Sequence, residues 1–81
     1  MGERFYVDLD DETPEEMIVK VHCLLEEALG TDVLRKDERL YFYTYMVDLA
    51  RKWASLLDDV EWPEGVKFII TYPDGSTCSN Y

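Results

Sequence analysis

Glycine is scarce in this chain, with four among 81 residues (Gly2, Gly30, Gly65 and Gly75), and no two of them lie close enough to build a phosphate-cradling loop. Histidine occurs once, as His22. That excludes paired-histidine metal sites, and no serine stands in a nucleophile-elbow context. His22 is followed directly by Cys23, but on a helix neighbouring residues point about 100° apart, so the two do not form a base–nucleophile pair. The two cysteines, Cys23 and Cys78, have no CxxC spacing, and the expectation is two reduced thiols in a cytoplasmic protein. No apolar run approaches the roughly 20 residues that cross a bilayer. The opening Met1-Gly2-Glu3-Arg4 has neither a basic nor an apolar signal region, so no secretory signal is expected. Basic residues are also few: eight Lys and Arg against eighteen Asp and Glu leave a net charge of −10. A field of that sign repels nucleic acid and anionic membranes and attracts basic surfaces and cations. Neither direct nucleic-acid binding nor membrane binding is expected.

What is present is enough to fold. A hydrophobic fraction of 47% with 14% aromatic residues is too rich for a disordered chain, and the length allows one core, so residues 1–81 form a single acidic domain. Residues 4–9 alternate Phe5, Val7 and Leu9 against Tyr6 and Asp8, the pattern of a half-buried strand. After Asp10-Asp11-Glu12, Thr13-Pro14-Glu15-Glu16 reads as a helix start, with Thr13 as N-cap and Glu16 closing a capping box. This first helix is expected to run to Leu29 and stop at Gly30, with Met17, Val21, Leu24 and Ala28 central to its apolar stripe. Residues 31–36 read as a connection with room for a short helical turn. A long second helix is expected from Asp37 to Asp58, with an apolar arc of about 200°, wider than one packing surface needs. That arc takes in Tyr43, Tyr45 and Trp53 as core residues and leaves Tyr41 on the polar side. Val66 to Tyr72 reads as a second strand. Tyr72-Pro73-Asp74-Gly75 is a β-turn, and Ser76 to Tyr81 returns as a third strand. The fold class is therefore α+β: a small, mainly antiparallel sheet of about three strands, in the order β-α-α-β-β, with two helices packed on one face.

The negative charge is segregated. Residues 1–30 carry nine acids and two bases, residues 31–53 four acids and five bases, and residues 54–81 five acids and one base. In the expected topology the loop after the first strand and the loop after the second helix share one end of the domain. Asp10, Asp11 and Glu12 would there meet Asp58, Asp59, Glu61 and Glu64, beside a helix face bearing Glu15, Glu16, Glu26 and Glu27. Each piece has an ordinary explanation. Glu15 and Glu16 suit a helix N-terminus, and an acidic helix face is commonly just a solvated one. Asp58 and Asp59 fit that account less well, because negative charge is mildly unfavourable at a helix C-terminus. Trp62, within the second acidic loop, is a candidate contact residue, since tryptophan anchors interfaces, and a cap on the core is the equal alternative for it.

Asp8-x-Asp10-x-Glu12 opens like an EF-hand loop, but the sixth position is Thr13 instead of Gly and the twelfth is Val19 instead of Glu, so that motif is excluded. A looser Ca²⁺ or Mg²⁺ site at Asp10, Asp11 and Glu12 is one alternative reading, and a homodimeric adaptor using the apolar arc of the second helix is another. The leading expectation is a non-enzymatic inhibitor or modulator. Glu15, Glu16, Glu26, Glu27, Asp58, Asp59, Glu61, Trp62 and Glu64 would occupy the basic, nucleic-acid-binding site of a larger protein, with carboxylates standing where phosphates would. In size and acidity the chain resembles small phage-encoded inhibitors such as anti-CRISPR or anti-restriction proteins. The likeness is one of overall character, carried by no motif, and it implies action in the host cytoplasm.

Overall fold

The computed structural model describes residues 2–80 and has the element order β1 (Glu3–Leu9), α1 (Glu15–Leu29), β2 (Leu34–Lys36), β3 (Arg39–Thr44), α2 (Val47–Asp59), β4 (Phe68–Thr71) and β5 (Thr77–Ser79). The strands form one antiparallel sheet in the order β2-β3-β1-β4-β5. The α+β class and the helix-on-sheet layering are as the sequence indicates, but the sheet has five strands where about three were expected. Tyr81, the end of the expected third strand, lies outside the described residues.

The largest departure is at residues 34–44. The expected second helix loses its first ten residues, from Asp37 to Met46, mostly to a β-hairpin, and α2 begins only at Val47. In β3, Leu40, Phe42 and Thr44 are buried while Arg39, Tyr41 and Tyr43 are not, a strict period of two. Both faces of this strand carry aromatic or aliphatic side chains, so the same residues also fill a broad helical arc, and periodicity alone does not separate the two. Pairing separates them. Phe5 lies opposite Phe42 and Tyr6 opposite Tyr41 in a six-residue register with β1. The two phenyl rings stack, with centroids 4.9 Å apart and planes 10° from parallel. The hairpin turn is two residues, Asp37-Glu38, and Asp37 takes φ 54°, a left-handed conformation that aspartate tolerates better than most residues.

The core lies between one sheet face and the two helices. Phe5, Val7 and Leu9 from β1, Leu40 and Phe42 from β3, and Phe68 and Ile70 from β4 point into it. Helix α1 contributes Ile18, Val21, Leu25 and Leu29, one step round from the expected stripe centre, which leaves Met17, Leu24 and Ala28 half-buried. Helix α2 contributes Ala50, Trp53 and Leu57. Trp53, 4% exposed, sets its indole edge-on to Phe42 at 5.4 Å. The core assignment holds for Trp53 but is corrected for Tyr43 and Tyr45, which are 47% and 76% exposed. Tyr43 is on the sheet face away from the helices, and Tyr45 is in the corner before α2; a helical reading had turned both inward. Tyr41, expected to be exposed, is half-buried on the open sheet face.

The helix ends also differ in detail. Pro14, not Thr13, is the N-cap of α1, and no side chain caps the helix, so the expected capping box does not form. Gly30 ends α1 in the left-handed region at φ 67°, with its N–H bonded to the Glu26 carbonyl, as the Gly-after-helix signal indicates. Gly75 N–H donates to the Tyr72 carbonyl at 2.9 Å, closing the expected β-turn. Asn80 then fastens the C-terminal segment to β4: its side-chain oxygen accepts from Phe68 N–H at 2.9 Å, and its amide donates to the Val66 carbonyl at 2.6 Å. Among the described residues no helix is long and apolar enough to cross a membrane.

Candidate functional site

Three loops meet at one end of the sheet. Strand β1 reaches that end at Leu9, whose N–H donates to the Glu38 carbonyl of the β2–β3 turn at 2.9 Å. Asp10 N–H donates to the Lys67 carbonyl just before β4, at 3.2 Å. The inserted hairpin crosses the sheet twice, so it leaves the direction of every later element unchanged. For this reason the loop after β1 and the loop before β4 still share an end, as the shorter topology expected. Asp10, Glu12, Glu64 and Lys67 line one shallow recess there with Met17. Asp37 and Glu38, read from sequence as a helix start, bring two further carboxylates through the hairpin turn. The signal that could have revealed them is the strand-like alternation of Leu40, Phe42 and Thr44.

The crowding of like charge has a measurable consequence. Asp10 holds the Asp11 carboxyl above its ordinary value, first through a hydrogen bond between the two side chains and then through charge, with Glu12 and Glu38 adding to the repulsion. Asp10 is shifted the other way, held low by the same hydrogen bond and by Glu12 N–H, which reaches its Oδ1 at 3.2 Å. A carboxyl raised in the folded state contributes stability below its unfolded value of 3.8 and loses it as pH rises through the folded value. At neutral pH the ionised Asp11 therefore works against the fold. Asp11→Asn is expected to raise the melting temperature at pH 7 in low salt. The gain should shrink at high salt and vanish below pH 3.8, which thermal melts across a salt and pH grid would show.

The other carboxylates expected in the site do not form one continuous surface. Glu15 is engaged by Arg35 of β2 in a two-pronged pair at 2.5 and 2.6 Å, which holds its carboxyl below the ordinary range. Glu26 turns toward the chain, accepting Val33 N–H at 3.2 Å beside His22 at 3.8 Å, while the His22 ring contacts the Val33 carbonyl. Glu16 and Glu27 are exposed on α1 and form no salt bridge among the described residues. Asp58 departs from its expected place. It faces the β4–β5 side and accepts from the Tyr72 hydroxyl at 3.4 Å, and burial together with Asp58 pushes that phenol up to about 12. Asp58 and Glu3, Phe5, Arg51, Tyr72 and Asp74 line a groove of about 870 Å³ between α2 and the β4–β5 turn. Asp59 and Glu61 are exposed where α2 leaves for the acidic end. Trp62 is half-buried and stacks on Phe68 with ring centroids 3.9 Å apart, which makes it a lid on the core at this end.

The alternative cation site at Asp10, Asp11 and Glu12 lacks convergence. Among the described residues no group of three Asp, Glu, His or Cys side chains is placed to hold a metal ion. The wide apolar arc on which the dimer reading rests divides among a buried strand face, a shorter helix and the exposed side chains of Tyr43, Tyr45, Met46 and Val47. Cys23 and Cys78 are free and exposed. The sheet face turned away from the helices carries its own charges. Arg39 pairs with Asp8 at 2.6 Å and lies 4.7 Å above the ring of Tyr6.

The fold and this end of it define a small α+β protein whose acidic loops are gathered at one pole. Comparison with protein-family models, curated proteins and solved structures finds no match to the chain.

Proposed function

We propose that this chain is a non-enzymatic protein-binding inhibitor or modulator whose acidic pole occupies a basic, nucleic-acid-binding site on a larger protein. The observation that carries the reading is the loop cluster of Asp10, Asp11, Glu12, Asp37, Glu38 and Glu64 at one end of the sheet, where the Asp11 carboxyl is raised by its hydrogen bond with Asp10 and by the charges of Asp10, Glu12 and Glu38. Repulsion of this kind costs stability in the monomer and is relieved when an extended cationic surface approaches. Charge spread over three loops suits a surface of several Lys and Arg side chains better than a single ion, which needs oxygens converging on one point. In mechanism the carboxylates take the positions of phosphates and exclude the nucleic acid by competition. The action in character resembles that of anti-CRISPR or anti-restriction proteins, and its setting would be the host cytoplasm.

The test uses the tagged chain to retain proteins from a lysate of its native host, followed by competition with nucleic acid and salt. A basic nucleic-acid-binding protein should be retained, and nucleic acid should displace it. Its affinity should fall by orders of magnitude as salt rises from about 50 to 200 mM. Combined reversal of Asp11, Glu12 and Glu64 to Lys removes mutual repulsion instead of a structural contact, so the variant should fold and lose the interaction. Glu26 and Asp58 are poorer choices for reversal, because each accepts a hydrogen bond within the fold. Binding that survives the triple reversal overturns the proposal.

A further inference from the structure

At the pole opposite the acidic loops the surface changes character. Residues 40–47, Leu-Tyr-Phe-Tyr-Thr-Tyr-Met-Val, form the longest stretch of the chain without a charged side chain. Strand β3 leaves the sheet at Thr44, opposite Glu3 and roughly 20 Å along β1 from the acidic end. The corner into α2 is held by Thr44, whose Oγ1 accepts Met46 N–H at 3.1 Å. That bond fixes the backbone of the corner, which presents Tyr45 and Met46, 76% and 64% exposed, with Tyr43 and Val47 beside them. Tyr43 meets Tyr45 edge to face at 5.8 Å, which makes the pair one ridge. The ridge is itself one wall, with Met46, of a groove of about 600 Å³ whose lining continues through Leu29, Phe42, Leu49 and Trp53. With Leu34, itself 45% exposed, the corner holds five of the six large hydrophobic side chains that the described residues expose.

We propose that this corner is the contact with a second copy of the chain. Tyr45 and Met46 of each copy would seat in the groove of the other about a two-fold axis. Two features of the molecule select this occupant. A ridge and a groove side by side on one surface are self-complementary under a two-fold rotation, which is what an isologous contact requires. The charge distribution selects it too, because two chains of net charge −10 repel, and joining them at this corner, away from the loop carboxylates, puts the acidic poles at opposite ends of the pair. Arg4 on the Tyr43 flank and Asp32 on the groove flank, with Glu3 opposite Thr44 and Asp48 after Val47, give the contact a charged rim in which Arg4 can pair with a carboxylate of the other copy. The exposed apolar area of the corner is on the order of 500 Å², which with a polar rim approaches the ~800 Å² per partner of a stable interface. The contact is independent of the acidic pole, and the dimer would present two such poles facing outward.

Sedimentation equilibrium of the full chain over about 10–500 µM tests this directly. The expected result is a mass that climbs from one chain to twice that value. The climb should begin at lower concentration in higher salt, because salt screens the repulsion. That salt dependence is opposite in sign to the one expected for partner binding. Tyr45→Asp and Met46→Glu, both at exposed positions, should keep the circular-dichroism spectrum and remain at single-chain mass throughout. The Asp11, Glu12 and Glu64 reversal should dimerise as well as wild type or better. The proposal is overturned by a wild-type chain that stays monomeric across the range, which would leave the corner to an unrelated partner. It is equally overturned by corner variants that dimerise as wild type does.

Discussion

Phe42→Ala is expected to destabilise the fold by about 3–5 kcal/mol, read as a fall in the urea midpoint at unchanged slope. The phenyl ring is 1% exposed and lies between two others, stacked on Phe5 and meeting Trp53 edge-on. Its removal opens a cavity among β1, β3 and α2, lined by Phe5 and Trp53. An 81-residue domain has a total stability of roughly 4–12 kcal/mol, so the loss would be a quarter of it or more, and at the lower end of that range part of the population would unfold at 37 °C. Phe42→Leu retains most of the volume and should cost well under half as much. A loss below about 1 kcal/mol for the alanine variant would mean that residue 42 does not sit at the centre of the core.

Trp62→Ala is the second large effect, at about 2–3 kcal/mol, smaller because the indole is only half-buried. The stacking distance of 3.9 Å on Phe68 makes this residue the cover of the core where α2 gives way to the acidic loop. Trp62→Phe should recover much of the loss. The folded fraction of the alanine variant should bind a basic partner as wild type does, because the carboxylates that carry the charge stay in place. A variant of wild-type stability whose partner affinity falls tenfold or more would reverse the assignment, making Trp62 an interface anchor instead of a lid. This pair of measurements therefore separates the two roles that the sequence allows for the residue.

How much of the candidate site was legible from sequence is clearest at single residues. Asp10, Asp11, Glu12 and Glu64 were placed at a common end by counting the direction of successive elements. That inference survives because the unforeseen hairpin adds two crossings and restores the direction. Asp58 was displaced by the same reasoning. Counting the direction of elements places a residue at one end of a helix but not on one side of it, and Asp58 turns to Tyr72 on the β4–β5 side of α2. Glu15 and Glu26 were read as surface charge, but Arg35 and the Val33 amide claim them. Both partners belong to the segment 33–36, whose sequence reads as a connection and carries no local signal for these contacts.

The sequence by itself determined the α+β class, strand β1, helix α1 with its stop at Gly30, the β4–β5 turn and the segregation of charge. Each of these rests on local chemistry: alternation over a short run, a glycine free to take positive φ, a proline with fixed φ, and the identity of charged side chains. Only the tertiary structure decided residues 34–47. There the local pattern satisfies two periods at once, and the choice goes to the strand because β1 offers β3 a six-residue register and a ring for Phe42 to stack on. The same decision turned Tyr43 and Tyr45 from expected core into an exposed corner. Which face an aromatic residue presents depends on what pairs beside it, and a pairing partner about 35 residues away along the chain is not part of any local pattern.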